Sequence, residues 1–276
     1  MRILVRQGLK TGFFYSLVSR KKYEGEAMTA PQIIHIPILP FGMVNAHLVR
    51  GNGGCILVDA GIPGSESKIE RALSRHGLSF RDIKLIVVTH AHVDHAGSAH
   101  TMRELSGAPI VAHVNDAAHF SRDTPMTYCP TGWVGRLFLK TPVPHQAYAR
   151  FIPDVLLSDS DALDVGKYGI PGTIGHTPGH TAGSISVQLS SKDALVGDLV
   201  ASGVLLGGLF RKSHAMRPPF EDDPRMVGLT LQRLLDSGME RFYMGHGGPL
   251  PAAEVRRHAQ LLMKIDQQSL CAKNNG

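Results

Sequence analysis

Long apolar runs are missing from this 276-residue chain. No stretch approaches the ~18–20 consecutive apolar residues that a membrane-spanning helix needs, so no membrane partner is expected. Cysteine is scarce. Cys55, Cys129 and Cys271 are odd in number and far apart, which argues against a disulfide framework and makes the cytoplasm the expected location. Charged residues reach only 19%, against 43% apolar ones, a balance that excludes a disordered chain and describes a soluble globular one. The net charge of +6 is concentrated at one end. Residues 1–27 hold Arg2, Arg6, Lys10, Arg20, Lys21 and Lys22 against Glu24 and Glu26, leaving 23 basic and 21 acidic residues elsewhere. A body so close to neutral gives no signal for nucleic-acid binding.

That basic end loosely imitates a signal peptide. Its apolar stretch is short, and Arg20-Lys21-Lys22 follows before any plausible cleavage site. Met28 is the expected functional start, with residues 1–30 a disordered extension ahead of a single domain over 31–276.

What is present is a run of short apolar segments separated by helical patterns. Strands are expected at Ile33–Ile38, Ala46–Val49, Cys55–Asp59, Leu85–Val88 and Pro109–Ala112. More follow at Val155–Leu157, Gly172–Gly175, Ser184–Val187, Ala194–Val196 and Arg241–Met244. Ser65 is a candidate cap for a helix with Ile69, Ala72, Leu73 and His76 on one face and Gly77 as its stop. A second helix is expected from about Ala96 to Leu105. A third has Asp223 as N-cap and Pro224 in the first turn, and a last one carries Val255, His258, Ala259 and Leu262. Strands then helices, twice over, fit an α/β chain folded as a four-layer αββα sandwich better than a doubly wound sheet.

Residues 119–153 break this rhythm as an insertion with five prolines, the single tryptophan Trp133, and Tyr128, Phe138 and Tyr148. A Pro-rich loop of this length reads as a lid with aromatic side chains over a site, and a small-molecule substrate would meet Tyr128 and Trp133 there.

The stretch Thr89-His90-Ala91-His92-Val93-Asp94-His95-Ala96-Gly97 organises the chemistry. It follows a β-branched strand, along which side chains alternate, so His90 and His92 can face one way and share a metal. Asp94 and His95 lie past the strand, where a turn can aim them at a second metal. Imidazoles plus carboxylate suit zinc, with iron or manganese as alternatives. Further ligand-type residues sit beside glycines at strand ends, in Gly175-His176-Thr177-Pro178-Gly179-His180-Thr181-Ala182-Gly183-Ser184, Gly197-Asp198 and Gly245-His246-Gly247.

Together, His90-x-His92-x-Asp94-His95-x-Gly97, Pro178-Gly179-His180-Thr181-x-Gly183-Ser184, Gly197-Asp198 and Gly245-His246-Gly247 resemble the metallo-β-lactamase superfamily, in the family's order, across about 33–250. The resemblance implies the αββα fold with a site in a cleft at one edge of the sandwich. It further implies that His90, His92 and His180 hold one metal and Asp94, His95 and His246 a second. Asp198 would bridge both. His180 is chosen over His176 because it precedes Thr-x-Gly-Ser. Two zinc ions would then activate a water for attack on a carbonyl, with Asp94 orienting it and passing its proton on. Asp59, at its own strand end, is a candidate acceptor behind a ligand histidine.

The expected reaction is hydrolysis of a small ester, thioester or lactone. Asp198 separates the chain from β-lactamases that do not use the bridging aspartate, although the motifs also resemble one β-lactamase branch. Only 30 residues follow His246, too few for the longer C-terminal part of glyoxalase II. Acyl-homoserine lactonases place a tyrosine where this chain reads Leu199-Val200-Ala201-Ser202. The full ligand set argues against a persulfide dioxygenase with one iron. Arg211, Lys212 and Arg217, soon after Asp198, are candidates to bind a substrate carboxylate. The resemblance also implies a homodimer as a partner arrangement.

Overall fold

The first sheet takes its strands in chain order: β1 (Gln32–Pro37), β2 (Asn45–Gly51), β3 (Gly54–Val58), β4 (Ile83–Val87), β5 (Ile110–His113) and β6 (Val155–Leu157). The computed structural model describes residues 30–204, 206 and 210–265, so the expectation about the N-terminal extension lies outside the described residues. β1 to β3 pair antiparallel through short connections, whereas β3 to β6 pair parallel. Parallel pairing needs crossovers, and these contain helices. They are α1 (Glu66–Arg75), then α2 (Val93–Ala96) and α3 (Ala99–Ser106), then α4 (Ala117–Ser121) and α5 (Gly132–Leu139).

The second half begins with β7 (Ala162–Asp164), β8 (Gly172–His176), β9 (Ile185–Leu189) and β10 (Asp193–Leu195). A two-stranded ribbon, β11 (Ala201–Ser202) with β12 (Ala215–Met216), precedes α6 (Pro224–Asp236). Then β13 (Arg241–Tyr243) and β14 (Leu250–Pro251) complete a second sheet of order β14-β13-β10-β9-β8-β7, and α7 (Ala252–Leu262) follows.

Strand alternation builds the layers. On β3, Ile56 and Val58 join Leu85 and Val87 of β4 in a buried cluster with Ile174, Ile185, Val187 and Leu195 of the second sheet. The intervening Cys55 and Leu57, with Ile86 and Val88, pack instead with Ile69 and Leu73 of α1 and Met102 of α3. Phe242 and Met244 meet Val227, Leu231 and Leu235 of α6 and Val255, Ala259 and Leu262 of α7. Helix, sheet, sheet, helix is the αββα sandwich expected from the sequence. Each fully buried Leu, Ile or Val contributes ~1.5–3 kcal/mol of transfer free energy against the entropy of ordering the chain.

Three local readings need correction. The helix expected from about Ala96 to Leu105 is present as α3 but starts later, at Ala99, because Ser98 at φ −103° and ψ 6° separates it from the short α2. Ser65 holds the N-cap position of α1 as expected, but its hydroxyl makes no capping bond and donates instead to the Ile62 carbonyl at 2.6 Å. Cys55 is buried with a free thiol, but Cys129 is disulfide-bonded, one bridge where the sequence pointed to no framework. Asp223 does cap α6, accepting from the Met226 amide at 2.9 Å. Among the described residues, no helix is long and apolar enough to cross a membrane.

Candidate metal centre

Every candidate ligand sits just beyond a strand end. His90, His92, Asp94 and His95 follow β4, His180 lies between β8 and β9, Asp198 follows β10, and His246 follows β13. Backbone bonds sew these loops together. Ile185 N–H donates to the Thr89 carbonyl at 2.9 Å, Gly245 N–H to Gly197 at 3.0 Å, and Asn45 N–H to Gly245 at 2.8 Å.

Nε2 of His90, Nδ1 of His92 and Nε2 of His180 form a triangle with all three sides 3.1 Å. Neutral imidazoles carry one N–H each, and a closed triangle of ring nitrogens wastes at least one lone pair. Ligands about 2.0–2.1 Å from a tetrahedral zinc stand about 3.3 Å apart. The triangle therefore fits a cation better than it fits a hydrogen-bond network. A second group, of Asp94, His95 and His246, offers ligand atoms all within 4.8 Å of one another. Asp94 Oδ2 stands 3.4 Å from His246 Nε2 and 3.9 Å from His95 Nε2.

Asp198 lies between the two groups. One carboxylate oxygen is 3.3 Å from His95 Nε2, and the other is 2.9 Å from His246 Nε2 and 3.8 Å from His180 Nε2. His95 Nε2 and Asp198 Oδ1 are buried and face each other without a properly aligned hydrogen bond. Orphaned polar atoms in a dry interior cost ~1–3 kcal/mol each, so their persistence is a second sign of a cation-shaped arrangement.

The candidate ligands are held from behind. Asp59 accepts from His95 Nδ1 at 2.8 Å, from the Thr89 amide at 2.8 Å and from the Thr89 hydroxyl at 3.0 Å. It does so from a left-handed conformation, φ 61°, that Asp tolerates better than most residues. Its expected role behind a ligand histidine is met. Thr89 Oγ1 also reaches His90 Nδ1 at 3.0 Å, and His246 Nδ1 donates to the Met43 carbonyl. Gly245 leaves no room for a side chain, since a Cβ would lie 2.3 Å from His95 and 2.4 Å from Asp198.

Sequence reasoning missed Asp116. This buried carboxylate accepts from the Ala91 amide at 3.0 Å, the Thr181 hydroxyl at 3.0 Å and the Gly183 amide at 2.9 Å. It pins the His90–His95 loop to the His180 loop across the two sheets. An Asp in a polar stretch after β5 carried no spacing signal that could have revealed this.

Burial and charge divide the cluster. Desolvation holds His90 and His180 well below the usual histidine range and His92 at about 4, so these three are neutral, the form that ligates metal. Burial also opposes a charge on His95 and His246. There the carboxylates win: Asp198, Asp59 and Asp94 raise His95 well above its ordinary value, and Asp198 with Asp94 brings His246 to about 9. Burial likewise opposes charge on Asp198, yet His246 and His95 hold its carboxyl well below the usual range.

A cavity opens over the cluster. Its floor includes His92, Asp94, His180, Asp198 and His246, and its walls include Leu39, Met43, Tyr128, Phe138, Val143 and Phe220. The insertion thus covers the site as expected. Tyr128 stacks on His92 with ring centres 5.0 Å apart, and Tyr148 Oη donates to the Ala91 carbonyl at 3.2 Å. Phe220, which carried no sequence signal, stands 4.7 Å from Tyr128 and 6.0 Å from His92, ring centre to ring centre.

Other candidate contacts are not brought in. Trp133 is 74% exposed on the outer side of α5 and does not line the cavity. Arg217 is paired with Glu221, and Arg211 is exposed with φ 58° outside the lining. The physical reason is shared: the loop after Asp198 turns Leu206 toward the cavity and its cations away. His176, the rejected partner of His180, stacks on His113 with centres 3.9 Å apart and planes 11° apart, both near Asp159. These three offer ligand atoms within 4.8 Å of one another, a group separate from the His90–His246 cluster, but the Asn115 amide donates to His113 Nδ1, which leaves that ring's proton on the Nε2 facing Asp159.

The superfamily pattern described as metallo-beta-lactamase matches residues 39–246. The chain is 30% identical over 157 residues to a protein of Methanocaldococcus jannaschii named as a probable metallo-hydrolase, covering 56% of this chain and 66% of that one. A Bacillus subtilis protein, also named a probable metallo-hydrolase, is 26% identical over 73% of this chain and 78% of its own. Among solved structures, a metallo-beta-lactamase family protein of Thermus thermophilus shares 27% identity at a TM-score of 0.60, covering 84% of this chain and 78% of that one. A subclass B3 metallo-beta-lactamase of Bradyrhizobium japonicum is similar in fold alone, at 20% identity and a TM-score of 0.55, over 79% of this chain and 84% of its own.

Proposed function

This chain belongs to the metallo-beta-lactamase superfamily, and we propose that it is a dinuclear zinc hydrolase acting on small, uncharged esters, thioesters or lactones with an apolar acyl group. The observation that carries the reading is the cavity wall. It is built from aliphatic and aromatic side chains, and no lysine or arginine lines it among the described residues. No side chain of the wall would pair with a substrate carboxylate, so the wall favours a neutral acyl group and leaves the metal floor as the one anchor for an anion.

When bound, zinc supplies Lewis-acid polarisation of a carbonyl oxygen and acidifies water to near neutrality. His90, His92 and His180 would hold one ion, Asp94, His95 and His246 the other, with Asp198 shared. Asp59, Thr89 and the Met43 carbonyl fix the ring tautomers, so the inward nitrogens of His90, His95 and His246 are free to ligate. Asp94 is the most accessible carboxylate of the cluster, its side chain 25% exposed to the cavity side, and is placed to accept a proton and deliver it to a leaving group. Gln146 is the one side-chain amide on the wall among the described residues and can donate to a substrate carbonyl. Tyr128, Phe138 and Phe220 exclude water above the floor and take the acyl chain.

The test is a substrate series on the purified enzyme. For neutral esters and lactones, kcat/KM is expected to rise with acyl length, up to about fourfold per buried methylene until the wall is filled. Phe220→Ala should flatten that rise while sparing short substrates. A preference for carboxylated β-lactams over neutral esters would overturn the reading.

A further inference from the structure

The three segments that border the cavity mouth share an odd charge pattern. Residues 31–49 hold no Asp, Glu, Lys or Arg; residues 124–153 hold Arg136, Lys140 and Arg150 and no acid; residues 199–220 hold Arg211, Lys212 and Arg217 and no acid. The near-neutral total hides this, because the acidic residues lie outside these segments, the nearest exposed ones being Asp123 and Asp222 just beyond their ends, with Asp94 on the cavity floor. Arg217 is spent on Glu221, but Arg136, Lys140, Arg211 and Lys212 are exposed.

The same region exposes large apolar side chains. On α5, Gly135 is buried against the Pro219 carbonyl and Phe138 stacks on Phe220, 5.7 Å centre to centre, so the inner face of the helix closes the cavity. The outer stripe is Trp133, Val134 and Leu137, exposed by 74%, 52% and 60%. Arg136 and Lys140 flank that stripe at helical spacing. Phe41, exposed by 64%, stands between the cavity-lining Leu39 and Met43, and Val143, itself a lining residue, is half exposed.

We propose that this rim, built on the outer face of α5 with Phe41 and Val143, docks the enzyme on an anionic lipid surface, with the cavity mouth turned toward the bilayer. Apolar tips ringed by cations and free of acids are what an interfacial helix needs: the tips enter the acyl boundary and the cations remain at the headgroups. A second copy of this chain, placed face to face on the same rim, would set cation against cation, which disfavours a symmetric dimer here. Docking also gives a poorly soluble acyl substrate a short path from bilayer to cavity. That last consequence rests on the function proposed above, whereas docking itself does not.

Trp133 is the single tryptophan and reports on its own surroundings. Full-length protein is mixed with phosphatidylcholine vesicles with or without one-third phosphatidylglycerol, and both sedimentation and tryptophan emission are read. The expected result is co-sedimentation and a blue shift with anionic vesicles only, both weakened by salt. Arg136→Gln and Lys140→Gln should each lower partitioning about fivefold. Leu137→Ser should weaken it further while turnover of a water-soluble short-chain ester stays at the wild-type level, which separates docking from catalysis. No shift with anionic vesicles overturns the proposal. A shift produced by concentrating the protein without lipid overturns it in favour of self-association. A shift with an acidic polypeptide but not with vesicles overturns it in favour of a protein partner.

Discussion

Asp116 shows how a residue that touches no substrate controls the site. Its three hydrogen bonds join loops from opposite sheets, so Asp116→Ala strands two backbone amides and a hydroxyl in the interior. The expected cost is about 2–4 kcal/mol of stability, with metal affinity lowered ~10–100-fold, as is usual for outer partners of metal ligands. Thermal melts with and without metal, beside equilibrium dialysis, read both. A variant with wild-type metal affinity would assign Asp116 to folding alone. His258, buried on α7, offers a pH prediction away from the metal. Desolvation, then Arg257 and Arg217, depress it to about 4 from 6.5, over the weaker pull of Glu254. Since the unfolded chain takes up this proton first, the stability held above pH 6.5 is lost as pH falls through about 4. Denaturant titrations of His258→Gln should show a shallower loss over that window than wild type.

At the scale of elements, capping and close approach are the testable features. Asp223→Ala removes the side-chain bond to the Met226 amide at the start of α6 and should cost ~1 kcal/mol, a fall of about 2–4 °C in Tm, with activity on short esters retained. Gly245→Ala should instead leave the fold standing and disturb His95 and Asp198, so metal content and turnover fall together. The elements were legible in the sequence wherever apolar residues alternated under turn signals. β4, β9 and α6 are the plainest cases, because burial on one or both faces dictates their pattern. The break between α2 and α3 was not legible: Ser98 leaves helical geometry at φ −103° and ψ 6°, where its hydroxyl donates to the Ile62 carbonyl and accepts from the Ser65 amide, a tertiary fact. Nor was the outward turn of Trp133. Residue type named it as a contact, and only the seating of Gly135 on Pro219 decides which face of α5 looks inward.

Taken whole, the molecule is two sheets whose loops meet at one edge, which is why four motifs far apart in sequence converge on one cluster. The ligand types and their order were readable because metal chemistry restricts them to His and Asp beside strand-end glycines. The cavity wall was readable only in part: the aromatics of the insertion, Phe138 among them, were expected over a site, whereas Phe220 is an ordinary aromatic until the fold brings it over His92 and against Phe138. The occupancy proposed for this site is two zinc ions. It is tested most directly by counting metal per chain on protein purified without added metal, while hydrolysis of a neutral ester is followed as zinc is restored to chelated enzyme. Close to two zinc ions per chain are expected, with activity lost on chelation and regained as the ions return. One iron per chain, or full ester hydrolysis after complete metal removal, would contradict it.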